Sequence, residues 1–152
     1  MPVIRPAGAP VRKAEPEDGD PLGPYQSLRL GDACGLTQFG ANLETLAPGS
    51  RSSDAHWHEA EDEFVYVLEG VVTLHEGETS TDVAAGEAMT FRANDPVGHQ
   101  LENRTEAPVR YLMIGTRSRN DVVHYTQIDK IARIVDGVRH ATDRAGRPLD
   151  ED

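Results

Sequence analysis

From Leu36 to Arg117 the chain is cut by turn residues at intervals of roughly eight to twelve positions, with strand formers between the cuts. "LTQFGANLETLAPG" alternates Phe39, Ala41 and Leu43 against Gln38, Asn42 and Glu44. That two-residue period predicts a half-buried strand, closed by the Pro48-Gly49 turn. "EFVYVLEGVVTLHEGE" reads as a hairpin in which Phe64 to Leu68 run out, Glu69-Gly70 turns, and Val71 to His75 return. "STDVAAGEAMTFRAND" supplies two short strands around Ala85-Gly86, and "GHQLENRTEAPVRYLMIGTR" supplies two more, interrupted from Thr105 to Pro108. Many short strands between frequent turns predict an all-β sandwich or barrel.

The two ends read differently. Residues 1–24, rich in Pro, Gly, Ala and charge, are expected to form an extended N-terminal arm, ordered by a neighbour or left as a loose tail. The barrel is expected over 25–126 and a C-terminal extension over 127–152. In that extension Ile128, Ile131, Ile134, Val135 and Val138 are spaced like one face of a helix, but Gly137 interrupts, so a short helix and an irregular strand both fit.

Charge and cysteine usage narrow the partners and the compartment. Lys and Arg total 15 against 26 Asp and Glu, a formal net charge of -11. Such a chain repels phosphate backbones and anionic headgroups, so neither nucleic acid nor membrane is an expected partner. No window is long and apolar enough to span a bilayer, and the first residues carry no apolar leader segment. The lone Cys34 cannot form an intrachain disulfide and has no His or Lys beside it to activate a thiolate. It is expected to be a small packed residue in a cytoplasmic protein.

The chemistry concentrates in "HWHEAEDEF". On an extended segment His56 and His58 point to one face and Trp57 to the other. A metal needs imidazole lone pairs converging at about 2.0–2.2 Å, and two histidines on one strand face meet part of that need. Glu63 shares its phase with Val65 and Val67, an inward set, whereas Glu61 falls in the connecting turn; Glu63 is therefore the expected carboxylate ligand. His99 shares a face with Leu101 and Asn103 and completes a set of three His and one Glu. That set leaves about two positions open on an octahedral ion, as a reacting ligand requires. Imidazole and carboxylate suit Zn, Ni, Fe or Mn. His75, His124 and His140 lack a partner at ligand spacing and are expected at the surface or behind the ligands.

Gly49, His56, His58, Glu63 and Gly70 resemble the first motif of the cupin superfamily, with one extra residue between Gly49 and His56. "GEAMTFRANDPVGHQLEN" resembles the second, beginning at Gly86 and ending on His99 and Asn103. Arg92 stands where Pro is usual, Asn94 where Gly is usual, and two extra residues precede His99. Asn tolerates the left-handed conformation better than most residues, so Asn94 can replace the turn glycine.

The resemblance, over Leu36 to Thr116, implies a small single-domain jelly-roll β-barrel that encloses a ligand cavity. It implies a divalent metal on His56, His58, Glu63 and His99, with a small-molecule ligand such as an organic acid, keto acid or sugar derivative. Tyr66, Arg92, Tyr111 and Met113 are the candidate wall residues. The implied activity is that of a metal-dependent isomerase, decarboxylase or dioxygenase; a non-catalytic sensor or storage protein is the alternative. A homodimer paired through sheet edges is also implied, with the segment Val3 to Arg12 available as partner or cover.

Overall fold

A computed structural model of the chain describes residues 3–151. Its strands, in chain order, are β1 (Val11–Ala14), β2 (Tyr25–Arg29), β3 (Phe39–Leu46), β4 (His56–His58), β5 (Glu63–Glu69), β6 (Val71–Glu76), β7 (Thr79–Ala84), β8 (Ala88–Phe91), β9 (His99–Glu102), β10 (Val109–Thr116), β11 (Asp121–Tyr125), β12 (Ile131–Val135) and β13 (Val138–Thr142). The only α-helical turn among the described residues is α1 (Leu30–Ala33). The strands form two antiparallel sheets, ordered β1-β2-β3-β10-β5-β8 and β13-β12-β11-β4-β9-β6-β7. This is the all-β jelly-roll expected, closed face to face around one core.

From β5 to β10 the chain keeps changing sheet: β5 lies in the first, β6 and β7 in the second, β8 in the first, β9 in the second and β10 in the first. Glu69-Gly70 is therefore not the hairpin turn that the strand pattern suggests. Gly70, at φ 83, passes the chain between the sheets where an added Cβ would lie 3.1 Å from Pro108 O and Val109 Cγ2. Hairpins do form at β6–β7 and β12–β13.

The core joins Leu46, Val65, Val67, Met89, Phe91, Val109 and Tyr111 of the first sheet to Val72, Val83 and Leu101 of the second. On β3 the phase is the reverse of what hydrophobicity suggests. Glu44 and Asn42 lie opposite Tyr111 and Met113 on the inward side, while Phe39 is 40% exposed. The inward Glu44 accepts hydrogen bonds from Tyr111 (2.6 Å) and Ser27 (3.2 Å), which is what makes its burial tolerable. Burial raises the Glu44 carboxyl above its ordinary value and the Tyr111 phenol above its own.

The N-terminal end differs from its sequence reading, and at the C-terminal end the strand alternative prevails. Val11–Ala14 is not a free arm: it pairs with β2 of its own chain. In the C-terminal extension the helical spacing of the isoleucines does not prevail. β12 and β13 form a hairpin through Asp136 (φ 50) and Gly137 (φ 82), which adds two strands to the second sheet. The β-branched content of "IARIV" explains this outcome. Cys34 is exposed at the end of α1 rather than packed. No helix among the described residues is long and apolar enough to cross a membrane.

Candidate metal centre

β4 lies between β11 and β9 in the second sheet, so its inward side chains face the first sheet across the barrel. His56 and His58 alternate with Trp57, which stacks on His124 at 4.1 Å with the rings 12° from parallel. His56 sits opposite His99 of β9. β5 of the first sheet carries Glu63 to the same point. His56 Nε2 is 3.9 Å and His58 Nε2 3.7 Å from Glu63 Oε1, while His99 Nε2 is 2.6 Å from Oε2. The His56 ring centre is 5.1 Å from that of His58 and 4.9 Å from that of His99. Ligand atoms of His56, His58 and Glu63 all lie within 4.8 Å of one another; His99 joins through the second oxygen of Glu63.

Each ring is held from behind. His56 Nδ1 is 2.8 Å from Asp54 O. His58 Nδ1 is 2.6 Å from Oδ2 of the buried Asp121, whose Oδ1 accepts the Ala60 N–H at 2.8 Å. His99 stacks face to face on Phe91, centroids 3.7 Å apart. Gly98 lets β9 approach closely, because a Cβ there would collide with the Thr126 side chain. Asn94, at φ 60, takes the left-handed turn before His99 and donates its N–H to His58 O at 2.8 Å. With Nδ1 engaged on His56 and His58, their Nε2 atoms are free to face Glu63.

The electrostatics suit a cation. Burial opposes charge on Glu63, but His56 and His99 beside it outweigh this and hold the carboxyl far below its ordinary value. Burial lowers His56, and the neighbouring Glu63 more than restores it, so its pKa lies above the usual imidazole value. Glu63 Oε2 and His99 Nε2, though 2.6 Å apart, are not aligned as a hydrogen bond, and both are buried with no other partner. Two orphaned lone-pair atoms beside two further imidazole nitrogens fit a divalent transition ion, which would satisfy all of them.

Of the candidate wall residues, Arg92 borders the small cleft beside His58, Glu63 and His99. Met113 faces inward against the core, and Tyr111 is fully buried with its hydroxyl on Glu44. Tyr66 is a correction. It shares the phase of Phe64 and Leu68, opposite to Glu63, and stands 38% exposed on the outside of the first sheet. Two acidic residues not foreseen as part of the site also approach it. Asp121 shares its phase with the buried Val123, a signal legible in "DVVHY". Glu61 borders the cleft, its Oε1 accepting the Ser118 N–H at 2.9 Å and its Oε2 3.6 Å from His58 Nδ1. Burial is the main cause that raises its carboxyl above the ordinary value.

Residues 42–115 match the cupin domain family. The chain is similar to a sugar phosphate isomerase from a cupin superfamily of Silicibacter pomeroyi DSS-3, at 35% identity and TM-score 0.85 over 99% of this chain and 98% of that one. A protein of Acidithiobacillus ferrooxidans ATCC 23270, provisionally assigned as a sugar phosphate isomerase, is 30% identical, with TM-score 0.76 over 85% and 82% of the two chains. A predicted oxalate decarboxylase of Thermotoga maritima shares the fold at 21% identity and TM-score 0.62, over 76% and 99%. No curated protein matches the chain.

Proposed function

The chain belongs to the cupin superfamily, and we propose that it is a metal-dependent isomerase of a small phosphorylated sugar. The observation that carries the reading is the convergence of three imidazoles on one carboxylate, with Glu63 Oε2 and His99 Nε2 buried 2.6 Å apart and bonded to no other group. His56, His58, Glu63 and His99 would hold Zn, Ni, Fe or Mn. Bound there, such an ion supplies Lewis acidity toward a carbonyl or hydroxyl oxygen. The likeness to the Silicibacter protein supports the choice of sugar phosphate.

The chain's own residues supply the remaining tasks. Aldose–ketose isomerisation removes a proton from the carbon next to the carbonyl and returns it to the neighbouring carbon. Glu61 borders the cleft with Oε1 fixed by Ser118 N–H and, as a carboxylate there that is not in the ligand set, would take and return that proton. Arg92 stands exposed at the rim of the cleft and would meet the phosphate. Phe91, flat against His99, keeps water from that side of the centre.

The test combines elemental analysis of the purified protein with NMR of aldose and ketose phosphates in deuterated water. The reading expects stoichiometric metal, interconversion with solvent deuterium at the exchanging carbon, and loss of both in His58→Ala. Tight binding of the sugar phosphate without exchange would assign the barrel to sensing or storage instead.

A further inference from the structure

The end of the chain lies on a group of cations beside the metal centre. β11 pairs Tyr125 with His56, so both side chains lie on the inner face of the second sheet, and the Tyr125 ring centre is 5.8 Å from that of His56. Arg139 on β13 is in phase with the buried Ala141 and reaches the same face, where its Nη2 donates to the Tyr125 hydroxyl at 2.8 Å. Lys130 comes in from just before β12, its Nζ 4.8 Å from the centre of the Tyr125 ring. Glu151 lies across the two cations. Its carboxylate accepts from Arg139 Nε at 2.7 Å and Nη2 at 3.0 Å, and Lys130 Nζ is 2.5 Å away.

We propose that Arg139, Lys130 and the Tyr125 hydroxyl form a binding site for a phosphate-type oxyanion, which Glu151 fills until such an anion displaces it. The donor set suits that ligand. The planar fork of Arg139 grips a carboxylate through two parallel bonds, and it fits two oxygens of a phosphate in the same way. Lys130 adds a point charge on the same side. The Tyr125 hydroxyl accepts from Arg139, so its own proton is left to donate to a bound anion.

Charge and tether decide the exchange. Near neutral pH a phosphate carries close to two negative charges against the single charge of Glu151, so two cations attract it more strongly. Glu151 competes only because it is attached. That attachment is light: Leu149 N–H donates to Ala141 O at 3.0 Å, and the Leu149 side chain is 37% exposed, so lifting the tail uncovers little apolar surface. The Glu151 side chain is itself 28% exposed, so solvent and solutes reach the pair. None of these residues lines the cleft that Arg92 borders. The oxyanion site is therefore additional to that cleft, and it stands whether or not the centre binds metal.

The test is calorimetric titration of the full chain with inorganic phosphate at about pH 7.5 and constant ionic strength, with and without a chelator. Saturable binding is expected in both conditions. Glu151→Gln removes the competitor and is expected to bind phosphate about fivefold more tightly, the factor that an ion pair of this exposure is worth. Arg139→Gln and Lys130→Gln are each expected to bind it about tenfold more weakly. NMR of the unmodified chain, which does not depend on a variant folding, should show the Arg139 Nε–H and the Glu151 amide shifting together along the same saturation curve. A sugar monophosphate that binds more tightly than inorganic phosphate would identify the ligand as an ester reaching along the inner face, and equal affinities would identify the free ion; either result supports the site. Binding that vanishes on chelation puts the phosphate on the metal centre and overturns the proposal. An Arg139 signal that does not move at saturation, or a Glu151→Gln variant that binds no more tightly than the unmodified chain, also overturns it.

Discussion

His58 and Asp121 are 63 positions apart and meet with Nδ1 2.6 Å from Oδ2, the carboxylate fully buried behind the ring. The Asp121 carboxylate accepts from both the ring and the Ala60 N–H, so it sets which imidazole nitrogen faces the barrel. Asp121→Asn keeps the shape but exchanges an acceptor for an amide of two roles. Metal affinity measured by competition with a chromophoric chelator is expected to fall about 10–100-fold, with the fold retained. Unchanged affinity would reduce Asp121 to packing.

Metal binding itself is expected to appear as stability. A ligand that binds only the folded chain adds about 4 kcal/mol at a thousandfold excess over its dissociation constant. Scanning calorimetry with Zn, Ni, Fe(II) or Mn should therefore show a clear rise in melting temperature, reversed by chelation. In Glu63→Gln and His56→Ala the rise should largely disappear, because each removes one of the converging ligand atoms. Equal rises in all three proteins would refute the ligand set.

The convergence of these side chains was legible in the sequence because a strand's two-residue period assigns sides without knowledge of the sheets. His56, His58, Glu63 and His99 each follow from the parity of their own strand. What parity cannot supply is which strands are neighbours. Asp121 reaches His58 because β11 pairs with β4, and Gly70 changes sheet because Pro108 and Val109 lie against it; neither is a local property. Nor does parity say which side is in when both are apolar or when polar groups pair internally. Glu44 goes inward with Tyr111 and Ser27, while Phe39 and Tyr66 go outward, against the usual expectation for each residue type.

The inward Glu44 offers a direct measure of that arrangement. Tyr111→Phe removes the hydroxyl that donates to Glu44 Oε2 at 2.6 Å and leaves the buried carboxyl with Ser27. An unsatisfied buried acceptor costs about 1–3 kcal/mol, so urea unfolding of the variant should show a loss of that size. Removing the donor should also push the Glu44 carboxyl higher still, since that hydrogen bond opposes the effect of burial.

The C-terminal segment is tied down by charge. Glu151 takes Arg139 through Nε at 2.7 Å and Nη2 at 3.0 Å, and Lys130 Nζ at 2.5 Å. The Arg139 hydrogen bonds are the main cause that lowers its carboxyl from 4.5 to about 2. A carboxyl whose pKa falls on folding adds stability above its unfolded value and loses it as the pH drops through the folded one. The contribution of Glu151 is therefore complete above about pH 5 and fades between pH 4.5 and about 2. The pair is partly exposed and screened by salt, so its worth is at most about 1 kcal/mol. Glu151→Gln should lower the melting temperature slightly at pH 7, and the gap from the unmodified chain should close as the pH approaches 2. Raising the salt at pH 7 should narrow the same gap. A difference that persists at low pH would mean that Glu151 acts through packing rather than through its charge.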